Sequence, residues 1–419
     1  MTFDQRQPRP PGFEDEARLA VADTAASQWA SITASLIRFT GDWNLAEDCV
    51  QDAVERALAR WPIDGLPDNP AAWLTTAARN RALDVLRRRQ TERAKMAEVA
   101  VMAGLERAAD RAEQPIDDDR LRLLFTCCHP ALPVESRVAL TLRMAGGLDT
   151  RQIAKAFLIS ESTASQRLLR AKRKISHAGI AFRVPAEHRL AERTGGVLAV
   201  LYLIFNEGYG SPDGELTREA LRLVRLLVEP MPDEDEARAL LALLLFLQAR
   251  RATRFDAAGD LVPMEEQDRG RWDRTAIDEG RWQLRRAASS GRPPGPYRLQ
   301  AAIAGRHAGA ESAEDTDWAG IVTCYDALLV AQPSPVVALN RAIAIGFRDG
   351  PEAGLAELDL VAAAPGLDGY YLLPAARADF LRRQGRPDEA AVAYRAAVRL
   401  APAQHDRRFL RRRLESLRS

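Results

Sequence analysis

The sequence is poor in cysteine and in aromatic residues, and it lacks a long apolar run. Only 4 of its 419 residues are cysteine, too few to hold a chain of this length together by disulfides. Aromatic residues make up 6%, while alanine and leucine are abundant, which favours helices over sheets. No stretch of about 18 apolar residues occurs, so we expect no membrane span. The composition therefore predicts an all-α, globular protein.

The N-terminal residues predict the cellular compartment, and the net charge limits how the chain could bind nucleic acid. Residues 1–11 are polar and proline-rich and lack the apolar core of a signal peptide, which predicts a cytoplasmic protein. The formal net charge is only +1, which excludes a uniformly basic nucleic-acid binder. Any contact with DNA has to come from local basic patches.

Two groups of residues contain metal-binding or catalytic residue types, but their spacing does not suit a metal site or a catalytic site. Cys127, Cys128 and His129 are adjacent, which is unsuitable for zinc, and no second Cys/His pair follows. Between Glu265 and Trp318, acidic residues accompany Trp, Tyr and His, as in a small-molecule pocket or in hydrogen bonds that join helices. The second interpretation is favoured because no nucleophile–base pair is evident. We therefore expect no metal, no cofactor and no enzymatic activity.

The stretch from Asn69 to Arg89 carries the clearest functional pattern. Asn69 suits a helix N-cap and Pro70 the first helical position. The predicted helix has one apolar face, an opposite polar face with Trp73 among its residues, and three arginines in its last turn. A tryptophan on the polar face has to pack against a neighbouring element.

Two helices are predicted before this stretch. One covers 25–40 and follows a mobile arm at 1–23. The other covers 45–60, with Asn44 as its N-cap, Glu47 three residues later and an acidic outer face. Residues 61–68 are predicted to form a loop.

The segment 119–183 has the pattern of a helix-turn-helix. A short helix capped by Asp149 or Thr150 is followed by a turn and by a long helix over 161–175. Small polar residues come first on the long helix and basic residues follow, which suits contact with base edges and then with phosphates. The alternative is a charged helical hairpin. The candidate DNA contacts on this helix are Ser162, Thr163, Ser165, Gln166, Arg167, Arg170 and Lys172.

These segments resemble bacterial RNA polymerase sigma factors of the extracytoplasmic-function (ECF) type. Trp-Leu, Ala-Arg-Asn, Ala-Leu-Asp and Leu-Arg-Arg-Arg within 73–89 match the promoter-melting helix, and Ala-Glu-Asp-Cys-Val-Gln-Asp at 46–52 matches the segment that binds the polymerase clamp. Residues 132–172 match the region that reads the −35 element. The family usually has Glu at position 52 and Val-Lys-Ser at 164–166, where this chain has Asp and Ala-Ser-Gln.

The resemblance implies core RNA polymerase and promoter DNA as partners, with the −35 element bound as duplex and the −10 element as single strand. The implied polymerase contacts are Asp48, Gln51 and Asp52. The implied −10 contacts are Trp61, Arg79, Asn80, Asp84, Arg87 and Arg88.

More than half of the chain follows these segments. Tyr-x-x-Leu at 325–328 recurs in weaker form at 357–360 and 394–397, at intervals of about 32 to 37 residues that suit tetratricopeptide-type repeats. Such arrays bind proteins or peptides more often than they catalyse, so a signalling protein or peptide is an expected partner. Cys-Cys-His-Pro at 127–130 and Asn-Glu-Gly-Tyr at 206–209 also resemble the ECF subgroup with a long C-terminal helical extension.

The predicted organisation has five parts. They are an arm at 1–23, sigma region 2 at 24–92, a linker at 93–118, sigma region 4 at 119–183 and a tetratricopeptide-like regulatory domain at 184–419. The predicted function is that of a sigma factor whose C-terminal domain modulates its activity. The alternatives are a helix-turn-helix regulator that does not bind polymerase, and a DNA-binding module fused to a ligand-binding or enzymatic helical domain.

Overall fold

A computed structural model describes residues 13–97, 118–157, 159–210, 214–363 and 365–417. These ranges contain eighteen α-helices, three short 3₁₀ turns and an isolated antiparallel bridge, and they contain no β-strand. The prediction of an all-α fold is confirmed. Within the same ranges, no helix is both long and apolar enough to cross a membrane. The chain divides into two compact units, 1–207 and 208–419.

The first unit begins with three helices that pack against one another: α1 (Phe13–Thr40), α2 (Trp43–Asp64) and α3 (Pro70–Ala97). Their shared core is apolar, with Trp29, Leu36, Val50, Trp61 and Leu74 each at most 8% exposed. The apolar face predicted for α3 is therefore confirmed where Leu74, Ala78 and Ala82 lie buried.

Three local predictions for this part differ from the structure. Helix α1 begins at Phe13, so residues 13–23 are helical rather than part of an arm. This segment is held in the fold because Ala17 and Val21 are buried. Helix α2 is capped by Asp42, whose side chain accepts hydrogen bonds from the backbone N–H of Asn44 and Leu45. Helix α2 also continues through Pro62 to Asp64, which leaves a shorter loop than predicted.

Four further helices of the first unit form the helix-turn-helix part: α4 (Asp119–Cys127), α5 (Val134–Met144), α6 (Thr150–Ala156) and α7 (Glu161–His177). Asp149 and Gln152 form a reciprocal capping box at the start of α6. Helices α6 and α7 pack against each other and α7 packs on α5. The predicted linker at 93–118 lies largely outside the described residues, apart from the end of α3 and residue 118.

Helix α8 (Glu187–Tyr209) follows and includes residues 206–209. After it come α9 (Glu215–Val228), α10 (Asp235–Ala249), α11 (Arg274–Ala288) and α12 (Pro296–Gly309) of the second unit. Helix α10 packs against α9, α11 and α12 and is buried on nearly all sides, because its sequence is a run of leucine and alanine.

The last six helices pack in sequence order. They are α13 (Trp318–Ala331), α14 (Pro335–Asp349), α15 (Pro351–Ala362), α16 (Leu372–Arg383), α17 (Pro387–Leu400) and α18 (Gln404–Glu415). Helices α14 and α15 pack closely on α16, because a Cβ at Gly346 or Gly354 would lie within 2.6 Å of the Phe380 ring. The prediction of a helical-repeat C-terminal part is confirmed. The start of this part at residue 184 stays a prediction. The second compact unit itself begins at residue 208.

Candidate nucleic-acid interface

Helix α3 presents a polar stripe on its solvent side. The helix starts as predicted, with the backbone N–H of Ala72 donating to Asn69 Oδ1 at 3.0 Å. Asn80, Asp84 and Arg88 are exposed and follow one another at four-residue intervals, so they share one face. Two further candidates, Arg79 and Arg87, are also exposed. This stripe offers amide, carboxylate and guanidinium groups to a ligand.

Trp61 does not lie on that surface. It is 1% exposed, and its ring meets that of Trp73 edge-on, with centroids 5.6 Å apart. Trp73 therefore packs against a neighbouring element, as its place on the polar face of α3 required. Because Trp61 is part of the core, it cannot stack on a DNA base in this conformation, and we leave it out of the proposed −10 contacts.

Helix α2 carries the acidic surface. Asp48 is exposed, and Gln51 and Asp52 are half-buried on the same side, opposite Val50 and Ala53 of the core. The carboxylate of Asp52 also forms ion pairs with Arg56 at 2.9 Å and Arg81 at 3.5 Å. The carboxylate of Asp48 is therefore the more available of the two for a basic partner.

Helix α7 combines a buried face with an exposed polar face. Ala164, Leu168, Ala171 and Ile175 are buried. The hydroxyl of Ser160 caps the helix by accepting a hydrogen bond from the Thr163 N–H at 3.1 Å. The exposed face carries Ser162, Ser165, Gln166, Arg170 and Arg173, and Thr163 and Arg167 are half-exposed at its edge. The order of small polar residues before cations matches the order expected of a recognition helix.

Lys172 is the exception among the candidate −35 contacts. Its ammonium donates to Glu47 Oε2 at 2.5 Å and to Asn44 Oδ1 at 2.9 Å, so it faces helix α2. Arg143 of α5 donates from Nε to Glu47 Oε1 at 2.6 Å. The side chains of Glu47, Arg143 and Lys172 are 12%, 8% and 13% exposed. We call this group the Glu47 cluster; it joins the α1–α3 part of the first unit to its helix-turn-helix part.

The electrostatics of the Glu47 cluster keep the carboxylate ionised. Burial alone would raise the pKa of Glu47, but the charges and hydrogen bonds of Lys172 and Arg143 hold it below its ordinary value. Sequence analysis treated Glu47 only as the residue three positions after the predicted N-cap of α2 and missed the cluster. The available signal was Arg143 itself, an arginine between Leu142 and Met144 on a buried helix, which requires an acidic or carbonyl partner.

Other contacts join the same two parts of the first unit. Arg38 Nε lies 3.1 Å from Asp119 Oδ2. The Trp43 and Phe182 rings meet edge-on with centroids 6.0 Å apart. Gly147 has a φ of +73°, and a Cβ there would lie 3.0 Å from the Trp29 ring, so only glycine fits. The two parts are therefore closely packed in this conformation.

Comparison with known proteins bears on both units. Residues 31–92 match the model of sigma-70 region 2, residues 122–175 match that of sigma-70 region 4, and residues 193–288 match a family of unknown function, DUF6596. The uncharacterized protein R00370 of Rhizobium meliloti (strain 1021) is 42% identical over 394 residues, which cover 91% of this chain and 92% of that protein.

Two weaker similarities were also found. The probable ECF RNA polymerase sigma factor SigI of Mycobacterium tuberculosis (strain H37Rv) is 31% identical over 179 residues, covering 41% of this chain and 61% of SigI. The crystal structure of yeast Tom70 is 11% identical, with a TM-score of 0.36 over 97% of this chain and 88% of that one.

These matches define a protein that carries the sigma-70 regions 2 and 4 of ECF-type sigma factors. The chain belongs to the same family as R00370. The resemblance to the ECF type is therefore confirmed, and the matched ranges fall inside the predicted 24–92 and 119–183.

Proposed function

We propose that the chain is a sigma factor that binds core RNA polymerase in the cytoplasm and directs it to promoters. The observation that supports this most is helix α7, whose exposed stripe of Ser162, Ser165, Gln166 and Arg170 has the form of a recognition helix for a −35 duplex. The chain itself carries out no chemistry, which is left to the polymerase.

Each exposed stripe has a role in this proposal. Asp48, Gln51 and Asp52 of α2 meet basic groups of the polymerase. Asn80, Asp84, Arg87 and Arg88 of α3 hold the opened −10 strand, with Arg79 at its edge. Amide and guanidinium groups suit this task because they donate hydrogen bonds to base edges and to phosphates.

The two DNA-binding parts have to separate before both elements are bound. The −35 and −10 elements lie about 25 base pairs apart, which is roughly 85 Å of duplex. A compact body of about 200 residues has a radius of gyration of roughly 16 Å and is therefore only about 40 Å across. We infer that the Glu47 cluster marks a closed form, and that binding to polymerase and promoter opens it.

The C-terminal domain is proposed to be required for activity rather than inhibitory. Helix α8 follows the helix-turn-helix after only a short connection, which favours fixed geometry over a detachable lid. Arg193 of α8 donates a hydrogen bond to the Phe125 carbonyl at 2.7 Å, so the start of α8 packs on α4. A protein or peptide signal that acts on the C-terminal array would reach region 4 through this helix.

The test is transcription in vitro from fragmented genomic DNA, with core RNA polymerase and mapping of RNA 5′ ends. We expect discrete start sites only when chain and core are both present, and loss of these sites with Arg170→Ala. A shortened chain ending at Glu207 keeps the packing of Arg193 and should give fewer transcripts. Absence of specific starts with active core would contradict the sigma function, and a shortened chain with higher activity would favour autoinhibition.

A further inference from the structure

A large cavity lies within the second unit. Its volume is about 1060 Å³, at the upper end of the roughly 300–1,000 Å³ typical of small-molecule sites. Much of its wall is apolar and aromatic, with Trp318, Ile343, Phe347 and Phe380 among the lining residues. Such a wall can remove most of the surface of an organic ligand from water.

A buried arginine lines this cavity. Arg269 is 8% exposed, and its Nη1 donates to the carbonyls of His307 at 2.6 Å and Ala310 at 3.1 Å. Its guanidinium stacks on the Trp272 ring at 4.7 Å. Within the described part of the chain, Arg269 forms no ion pair, although the charge of Asp315 acts on it, and its Nε and Nη2 donate to no protein acceptor. These donors remain for a ligand, since arginine has five N–H groups.

Thr316 and His307 are two further polar residues of the cavity wall. Thr316 is 6% exposed and lines the cavity, and its Oγ1 has no hydrogen-bond partner among the described residues. A buried hydroxyl without a partner lowers stability, so an acceptor on a ligand would satisfy it. Burial and the charges of Arg250 and Arg269 lower the pKa of His307 to about 4, so its imidazole is neutral at neutral pH.

Two of the three acidic residues that line the cavity already pair with an arginine of the protein, and the third is exposed. Asp379 and Glu265 are both bound by Arg383, at 2.6 Å and 2.5 Å. Glu314 is exposed.

The aromatic ring of Phe347 in the cavity wall is already in contact with another ring and with a guanidinium of the protein. The Phe347 ring stacks on Trp318 with centroids 4.5 Å apart, and the guanidinium of Arg383 lies 4.7 Å from it. A cationic ligand would therefore meet arginines rather than open ring faces.

We propose that this cavity binds a small organic anion with an apolar, aromatic-sized body. Its acidic group would accept hydrogen bonds from Arg269 and Thr316, and its body would pack against Trp318, Ile343 and Phe380. This site lies outside the sigma regions, so its test and that of the sigma function are independent.

The probe is 8-anilinonaphthalene-1-sulfonate, a fluorescent aromatic anion, titrated into the full-length protein. Its uncharged analogue, N-phenyl-1-naphthylamine, is titrated in parallel. We expect the anion to bind at least tenfold more tightly than the neutral analogue, because a hydrogen bond to a charged group accounts for about that factor. Equal affinity for the two probes would overturn the assignment of an anion.

Variants locate the binding site. Arg269→Gln should raise the Kd of the anionic probe about tenfold and leave that of the neutral probe unchanged. Thr316→Val, which keeps the shape of the side chain, should raise the Kd of the anionic probe about threefold. Ala376→Trp should block both probes by filling the cavity. The matched control is Arg281→Gln, since Arg281 is half-exposed and pairs with Asp278.

Circular dichroism and thermal unfolding establish that each variant is folded. An unchanged Kd in folded Thr316→Val and Ala376→Trp proteins would overturn the proposal, whether or not Arg269→Gln folds. An anion affinity that falls only in the two polar variants, while Ala376→Trp binds normally, would place the probe outside this cavity and would also overturn it.

Discussion

Replacing Glu47 by glutamine is expected to open the first unit. In the closed conformation, Glu47 accepts hydrogen bonds from Lys172 and Arg143, and all three side chains are at most 13% exposed. Glutamine has nearly the same shape but no charge, so two buried cations would lose their counter-ion. Removing one partner of a buried ion pair typically costs about 3–5 kcal/mol. Because glutamine keeps one acceptor oxygen, we expect the lower end, about 3 kcal/mol.

That free energy sets the size of the conformational shift. Each 1.4 kcal/mol is about a factor of ten, so the ratio of closed to open molecules should fall about a hundredfold. The pKa of Glu47 is held below its ordinary value, so its stabilising effect is complete at neutral pH and is lost only as the pH falls through that lowered pKa. At neutral pH the measurement therefore compares an ionised Glu47 carboxylate in the parent with an uncharged amide in the variant.

The assay is energy transfer between dyes on Arg60→Cys and Arg151→Cys, two exposed positions in the two parts of the first unit. The native cysteines are all buried and free, so they should label poorly. We expect lower transfer efficiency in Glu47→Gln than in the parent. Glu55→Gln, an exposed acid on the same helix, is the matched control and should change nothing.

A second variant separates opening from DNA contact. Lys172→Met should also open the cluster, but only Glu47→Gln releases the Lys172 ammonium for a phosphate. We therefore expect tighter binding of −35 duplex by Glu47→Gln than by Lys172→Met, measured by fluorescence anisotropy. A folded Glu47→Gln protein with the transfer efficiency of the parent would refute the reasoning that this cluster holds the two parts together.

Three further predictions concern the acidic face of α2, the recognition helix α7 and His307 of the second unit. Reversing Asp48 and Asp52 to lysine should weaken core polymerase binding at least tenfold. The loss of the partly exposed Asp52 ion pairs costs about 1 kcal/mol in unfolding free energy. Unchanged affinity in pull-down titrations would exclude this surface. Arg170→Ala should weaken binding to every duplex and lower the salt dependence of binding by about one charge. Gln166→Ala should instead change the preferred −35 sequence. If neither variant alters DNA binding, α7 does not enter the groove. In the second unit, the pKa of His307 is lowered from 6.5 to about 4, so its contribution of up to about 3 kcal/mol is complete above pH 6.5 and is lost as the pH falls towards 4. His307→Gln should remove this part of the pH dependence in thermal unfolding, and an identical pH profile in the variant would contradict it.

Periodicity and capping were sufficient to predict most of the local structure. The apolar spacing predicted a buried face for α3, which is confirmed at Leu74, Ala78 and Ala82, and Asn69 caps that helix as predicted. The cap at Ser160 and the buried face of α7 were not predicted. The cap of α2 was misplaced by two residues because Asp42 and Asn44 are equally suitable residue types. The start of α1 was missed because its N-terminal half buries mainly Ala17 and Val21, which give a weak apolar signal.

The exposure of the candidate DNA contacts was harder to predict, since it depends on tertiary partners. Trp61 next to Pro62 has the composition of a loop, yet Trp73 of the following helix provides a ring against which Trp61 is buried. Lys172 belongs to a basic run that looks uniform in sequence. Its neighbours Arg170 and Arg173 are exposed, while Lys172 points to the opposite side of the turn.

The Glu47 cluster shows why a function that depends on a change of conformation is difficult to recognise in a sequence. Glu47 and Lys172 are separated by 125 residues, and each belongs to a motif that has its own explanation. The resemblance to ECF sigma factors implies polymerase binding for the segment that contains Glu47 and DNA recognition for the helix that contains Lys172. Under the proposed function, the ion pair of the closed form withholds one cation from DNA while it joins the two parts. We therefore propose that it couples polymerase binding at α2 to DNA binding at α7, because any partner that moves Glu47 away frees Lys172.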